Sequence, residues 1–160
     1  MQAALVTAID EVIAFFNARK LDLPNGFFDR RTQFVINGAP FEALLGQSPD
    51  DPLVLMLARG PAGFRFAAKA LQHAIPDATI ERHSTSVGAA APGALSLGTG
   101  GPPTIAFGLL LSGRLRGTGE AVNAVASVTL RLAAAGHVEV AEAVLDDQAL
   151  EQIRQARLRP

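Results

Sequence analysis

There is no cysteine in this chain, and no tryptophan or tyrosine. Without cysteine there is no disulfide, no thiol nucleophile and no thiolate metal site, and a cytoplasmic location is the expectation. Lysine is scarce: Lys20 and Lys69 are the two, and arginine supplies the other basic groups. Neither sign of charge dominates. A formal net charge of −1 gives no electrostatic basis for binding nucleic acid or an anionic membrane. No apolar run approaches the ~20 residues that span a bilayer. The longest, residues 104–111, is strand-sized. Residues 1–7 lack a basic stretch and are followed by Asp10 and Glu11, so no secretory leader is expected.

What is present is mostly apolar. Hydrophobic residues make up 49% of the 160 residues and charged residues 18%, enough for one domain with a real core. No internal repeat or linker divides it. Leu5, Ile9, Val12 and Phe16 form one stripe of an N-terminal helix that fades by Lys20. A turn follows at Leu23-Pro-Asn-Gly26, then a short helical turn over residues 27–31. Residues 32–37 read as a strand ended by Gly38, residues 41–45 as one turn of helix, and residues 53–58 as a buried strand. Gly60-Pro61 opens a second helix with the stripe Phe64, Ala67, Ala68, Leu71 and Ile75, stopped by Pro76.

The last half reads as strands. Residues 79–87 form one, despite their polarity. Residues 88–103 are a long Gly/Ala/Pro connection, either a lid or a plain hairpin link. Residues 104–116 are apolar on both faces as far as Ser112, so a second subunit is expected on the outer face, making a homodimer. In the next strand Val122, Ala124, Ala126, Val128, Leu130 and Leu132 share one face, the cleanest period-2 signal in the chain. A third strand groups Val138, Val140, Glu142 and Val144. A terminal helix covers residues 149–158, with Asp146 or Asp147 as its N-cap. Helices first and an antiparallel meander last predict an α+β fold: a curved, mostly antiparallel sheet wrapped around N-terminal helices, a cystatin-like cone.

Two stretches carry a family resemblance. Arg59-Gly-Pro-Ala-Gly-Phe-Arg-Phe-Ala-Ala through Ile75-Pro76-Asp77 is similar to a Gly-led helix ending in a Phe-Pro-Asp element. Gly136-His-Val-Glu-Val through Leu145-Asp146 is similar to a Gly-Lys-Ile-x-Glu hairpin with an Asp exit into a last helix. On these grounds the chain resembles the nuclear transport factor 2-like superfamily, its SnoaL-like and ketosteroid-isomerase-like members, as one domain over residues 1–160. The resemblance implies a cone enclosing a pocket; the superfamily includes isomerases, dehydratases, cyclases, epoxide hydrolases and plain binding proteins. The sequence departs from several of these. An oxyanion site of the ketosteroid-isomerase kind uses a tyrosine, as does a site like that of scytalone dehydratase, and this chain has none. No aspartate lies between Asp77 and Asp146, which counts against an epoxide-hydrolase site and a cyclase site that need one in the cavity.

Two residues are candidates for acid/base chemistry. Strict alternation places Glu142 among Val138, Val140 and Val144, and a carboxylate held in apolar surroundings can act as a general acid or base near neutrality. The alternative is a bulge or an arginine partner. His83 shares a strand face with Glu81 and Thr85 and could pair with the former; the alternative is a solvated outer face. His73 and His137 read as surface residues. Three scattered histidines give no metal-ligand spacing, and no cofactor motif is present. Leu97-Gly-Thr-Gly-Gly101 and Gly117-Thr-Gly119 read as loop and turn, not phosphate loops. All nine aromatic residues are phenylalanine, eight of them before residue 67. Phe16, Phe28, Phe34 and Phe64 facing Val128 and Leu130 would enclose an apolar pocket. The sequence thus points to a small-molecule-binding cone for an apolar or polycyclic ligand, with weak SnoaL-like cyclase or isomerase chemistry through Glu142 or His83. The alternative is a non-catalytic dimeric interaction module whose cone is filled.

Overall fold

The computed structural model describes residues 2–23, 27–41, 58–89, 103–133 and 137–158; the side chains of residues 2–4, 83–89, 103 and 157–158 fall outside the description. The elements in chain order are α1 (Gln2–Asn17), β1 (Phe28–Ile36), β2 (Ala39–Pro40), α2 (Gly60–Ala74), β3 (Thr79–Ala89), β4 (Pro103–Arg114), β5 (Ala121–Leu132), β6 (Val138–Val144) and α3 (Asp147–Leu158). The strands form one open mixed sheet in the order β2-β1-β6-β5-β4-β3. Strands β3 to β6 are the expected antiparallel meander, and β1 joins β6 in parallel. The layout is α+β, as the sequence predicts.

Strand β5 alternates as its sequence demands. Val122, Ala124, Leu130 and Leu132 are buried, while Asn123, Val125, Ser127, Thr129 and Arg131 are exposed. On β4 the residues paired with that inner face, Ile105, Phe107 and Leu111, are buried too. Helix α1 lies over this face with Ile9 and Phe16 inward. Its other side is tied to the edge strand β3. The Asn17 side chain donates to the Ile80 carbonyl at 2.9 Å and accepts from the Ile80 amide at 2.8 Å, so it occupies part of an otherwise free sheet edge.

Gly60 opens α2 at φ +64°, and a Cβ there would stand 2.8 Å from the Asp29 carbonyl oxygen. A side chain cannot be fitted between helix start and strand, so glycine is required. Pro61 follows at a tolerated first-turn position. The Ile75-Pro76-Asp77 exit is held from two sides. Arg19 donates to the carbonyls of Ala78 and Pro76, and Asp77 Oδ1 accepts from the Arg114 amide at 2.8 Å. Asp146 caps α3, its Oδ2 3.3 Å from the Ala149 amide.

Three expectations are corrected. Residues 27–31 are not a helical turn. Phe28 pairs with Val138 across β1 and β6, and the Phe27 carbonyl accepts from the Val138 amide, which fixes the backbone as strand. Asn37 and Gly38 are more than a strand end: both have positive φ, 50° and 81°, and Ile36 faces Ala39 across a two-residue hairpin. Asn-Gly is the dipeptide that such a turn favours. Third, the alternation of β6 is interrupted. Leu132 pairs with Val138 but Arg131 pairs with Val140, so Glu139 is an extra residue, a β-bulge. The turn at residues 23–26, the helical turn at 41–45, the strand expected at 53–58 and the connection at 88–103 lie largely outside the described residues; within them Ala58 is helical rather than strand, and Gly88, Ala89 and Pro103 belong to β3 and β4.

Candidate functional site

The buried apolar residues form two clusters. One gathers Ile9, Phe27, Ile105, Phe107, Leu130, Leu132 and Val138; the other includes Phe16, Ala68, Ile75, Leu111, Val122 and Ala124. Between them is a cavity of about 220 Å³. Helix α1 contributes Ile9, Val12, Ile13 and Phe16 to its wall, and α2 contributes Phe64 and Ala67. The sheet supplies Phe28, Phe34, Phe107, Leu109, Val128 and Leu130, with Ala141 and Ala143 from β6.

All six residues expected to face a ligand, Phe16, Phe28, Phe34, Phe64, Val128 and Leu130, are brought together on this wall. Phe28 is the hub of an aromatic cluster. Its ring centroid lies 4.7 Å from Phe27, 5.2 Å from Phe34 and 5.5 Å from Phe64, the first two in edge-to-face geometry. The periodicity of α1 and β5 made this legible. Ala67 belongs to the stripe read from the sequence, but Ala141 and Ala143 were not singled out; the small side chains of all three leave space that larger ones would fill.

Glu142 is placed differently from the expectation. Beyond the Glu139 bulge the phase of β6 is reversed: Ala141 pairs with Leu130 and Ala143 with Val128, both on the inner face, while Glu142 pairs with the exposed Thr129. Glu142 itself is exposed, and Val144 beside it is 47% exposed. The exposure of Glu142 and its pairing with Thr129 put it on the outer face of the sheet, although it also borders the cavity, whose wall presents no polar surface among the described residues.

The bulge has an identifiable anchor. Thr32 is 1% exposed. Its Oγ1 donates to the Val138 carbonyl and accepts from the Asp29 amide at 2.9 Å. The register of β1 against β6 also jumps here, from Phe28↔Val138 to Gln33↔Val140. Two irregularities thus meet at one buried hydroxyl.

The His83 side chain lies outside the described residues, but the backbone there is informative. Register slips between Arg82 and Ser84, which breaks the period-2 grouping of Glu81, His83 and Thr85. Arg82, just before the slip, donates from Nε and Nη2 to the two carboxylate oxygens of Asp10 on α1, at 2.7 and 3.0 Å. This charged bidentate bond lowers the Asp10 pKa from its usual carboxylate range. His73 is exposed, its Nδ1 3.4 Å from Arg116 Nη1. His137, expected at the surface, is half-buried with Nε2 3.8 Å from Asp29. Among the described residues no group of three or more His, Asp or Glu could hold a metal ion, and no helix is long and apolar enough to cross a membrane.

No protein-family model matches the chain, and no curated protein matches its sequence. Solved structures do match its shape. A protein of Jannaschia sp. CCS1 assigned as a SnoaL-like polyketide cyclase superposes with a TM-score of 0.62 at 11% identity, over 98% of this chain and 93% of that one. IdmH of Streptomyces antibioticus, assigned as a polyketide cyclase, gives 0.59 at 13% identity over 94% and 98%. A ketosteroid-isomerase-like protein of Catenulispora acidiphila, solved with trimethylamine, gives 0.56 at 11% identity over 98% and 97%. The chain shares the fold of these SnoaL-like and ketosteroid-isomerase-like structures. At these identities the likeness is one of fold.

Proposed function

We propose that the protein binds an apolar small molecule in the cavity between α1, α2 and the inner face of the sheet. The observation that carries this reading is a cavity of about 220 Å³ whose wall, among the described residues, has no polar surface. An apolar concavity of this kind suits a hydrophobic guest. The trimethylamine complex of one fold neighbour supports small-molecule binding in general. Acid/base catalysis of the cyclase or isomerase kind has weaker support, because Glu142 sits on the opposite face of the sheet. A cytoplasmic location agrees with the lack of cysteine.

The experiment is a titration with neutral aromatic hydrocarbons, comparing the wild type with Ala141→Phe. Filling the cavity should abolish binding while circular dichroism and the unfolding midpoint verify that the variant is folded. Undiminished binding by a folded Ala141→Phe would reject the site.

A specific observation also favours self-association. Leu110 and Val125 are directly paired on the outer face, Val125 is 55% exposed, and Val144 lies on the same face. We propose a homodimer through this surface, which is compatible with ligand binding on the other side of the sheet.

A further inference from the structure

Charge is segregated between the first two helices. Helix α1 carries Asp10 and Glu11 and no basic residue; α2 carries Arg65, Lys69 and His73 and no acidic one. These three are spaced i, i+4 and i+8, and all are exposed. They run along the side of α2 that faces away from Phe64 and Ala67 in the cavity wall. We infer that this ridge is a docking surface for an acidic helix of a partner protein.

The ridge continues beyond its own helix. Arg116 brings Nη1 to 3.4 Å from His73 Nδ1, and Arg65 Nε donates to the carbonyl of Leu21, the residue after Lys20. Arg65 and His73 are about 12 Å apart along the axis at 1.5 Å per residue, so the row matches carboxylates repeated every fourth position on a facing helix. The fold itself gains little from the row. Among the described residues no carboxylate is paired with Arg65, Lys69, His73 or Arg116, whereas Arg82, Arg131 and Arg154 each have one. Like charges four residues apart oppose a helix. The helix dipole suits His73 in the last turn but does nothing for Arg65 and Lys69.

A second copy of the chain fits this ridge poorly. The acids on its other helices and at the start of α3 are engaged: Asp10 by Arg82, Asp146 by the Ala149 amide, Asp147 by Asn37, Glu151 by Arg154 and Gln155, which leaves Glu11. A nucleic acid or lipid surface is disfavoured too. Asp22, Asp77 and Glu120 are exposed on segments adjoining the ridge and would repel a continuous array of phosphates. The homodimer proposed above uses the other side of the sheet and leaves α2 uncovered.

The test uses a fluorescein-labelled, end-capped helical peptide with glutamate at every fourth position, and the same peptide with glutamine instead, read by anisotropy at low salt. The glutamate peptide should bind the wild type at least ~10-fold more tightly, and most of that advantage should vanish at ~1 M salt, where the Debye length is about 3 Å. Lys69→Glu combined with His73→Glu should weaken the glutamate peptide ~10-fold or more with an unchanged unfolding midpoint, and should gain affinity for a peptide with lysine at the same positions. Lys69→Gln alone, the milder change if the double variant does not fold, should weaken it about 2- to 5-fold. Equal binding of the two peptides, binding insensitive to either set of substitutions, or no binding of the glutamate peptide up to ~1 mM would overturn the inference. So would a short DNA duplex or phosphatidylserine vesicles that bind the wild type more tightly than the peptide does and lose this in the variants, since the ridge would then read polyanions in general.

Discussion

At the scale of single residues, the hydrogen bonds that matter are few and bury or bridge irregular backbone. Thr32 is the clearest case, because its hydroxyl serves two main-chain groups inside the sheet. Thr32→Val keeps the shape and removes the hydroxyl, leaving a buried carbonyl and amide unmatched. It should cost about 1–3 kcal/mol in urea unfolding, with Thr32→Ser retaining most of that. Asp10 makes a second, pH-dependent case. Its folded pKa lies below the unfolded one because of the Arg82 hydrogen bond, so the folded state binds fewer protons across the carboxylate range. The contribution is complete above the unfolded value near ~3.9 and is lost as pH falls through the folded value. The pair is partly exposed, so Asp10→Asn should cost only about 0.2–1 kcal/mol near neutrality. The gap between the variants should close in acid when unfolding is followed from pH 7 downward. Asn37 was legible only in part. Its dipeptide with Gly38 signals a hairpin, but nothing in the local sequence says that its side chain also reaches Leu145 and Asp147 at the start of α3.

At the scale of elements, regular periodicity was readable and its interruptions were not. The stripes of α1 and α2 and the alternation of β5 each follow from one face meeting the core, and each is found where the pattern puts it. The β1 start was misread because a run with two phenylalanines and charged residues is compatible with a helical turn; a partner more than a hundred positions away decides otherwise. The β6 bulge is harder still. Val138, Val140, Glu142 and Val144 obey period 2 on paper, and the extra residue is set by Leu132, Arg131 and Thr32 on neighbouring strands. The bulge leads to a direct expectation. Glu142→Gln, on an exposed face, should change stability by less than ~0.5 kcal/mol at pH 7. A stabilisation above ~1 kcal/mol would signify that the carboxylate is buried after all.

At the scale of the whole molecule, the sheet separates two surfaces of different character. The inner face, under α1 and α2, holds the cavity; the outer face carries the Leu110–Val125 pair and Val144. If subunits meet through that outer face, Leu110→Glu should convert a dimer to a monomer in light scattering by placing an unpaired charge in the contact. A wild-type monomer at micromolar concentration would remove the proposal. The four-stranded meander of β3 to β6 could be read ahead of time because strand order follows chain order through it. The parallel union of β1 with β6 could not, since no local pattern reports a partner so distant. The Glu139 bulge finally gives the fold a lever for change. A strand's faces exchange when one residue is gained or lost. Taking Glu139 into the ladder opposite Arg131 would swing Val140, Glu142 and Val144 inward and Ala141 and Ala143 outward. A one-residue slip of pairing would then separate a greasy receptacle from a chamber with a carboxylate in its wall, a route by which binding and acid/base chemistry could interconvert on the same scaffold without a single substitution.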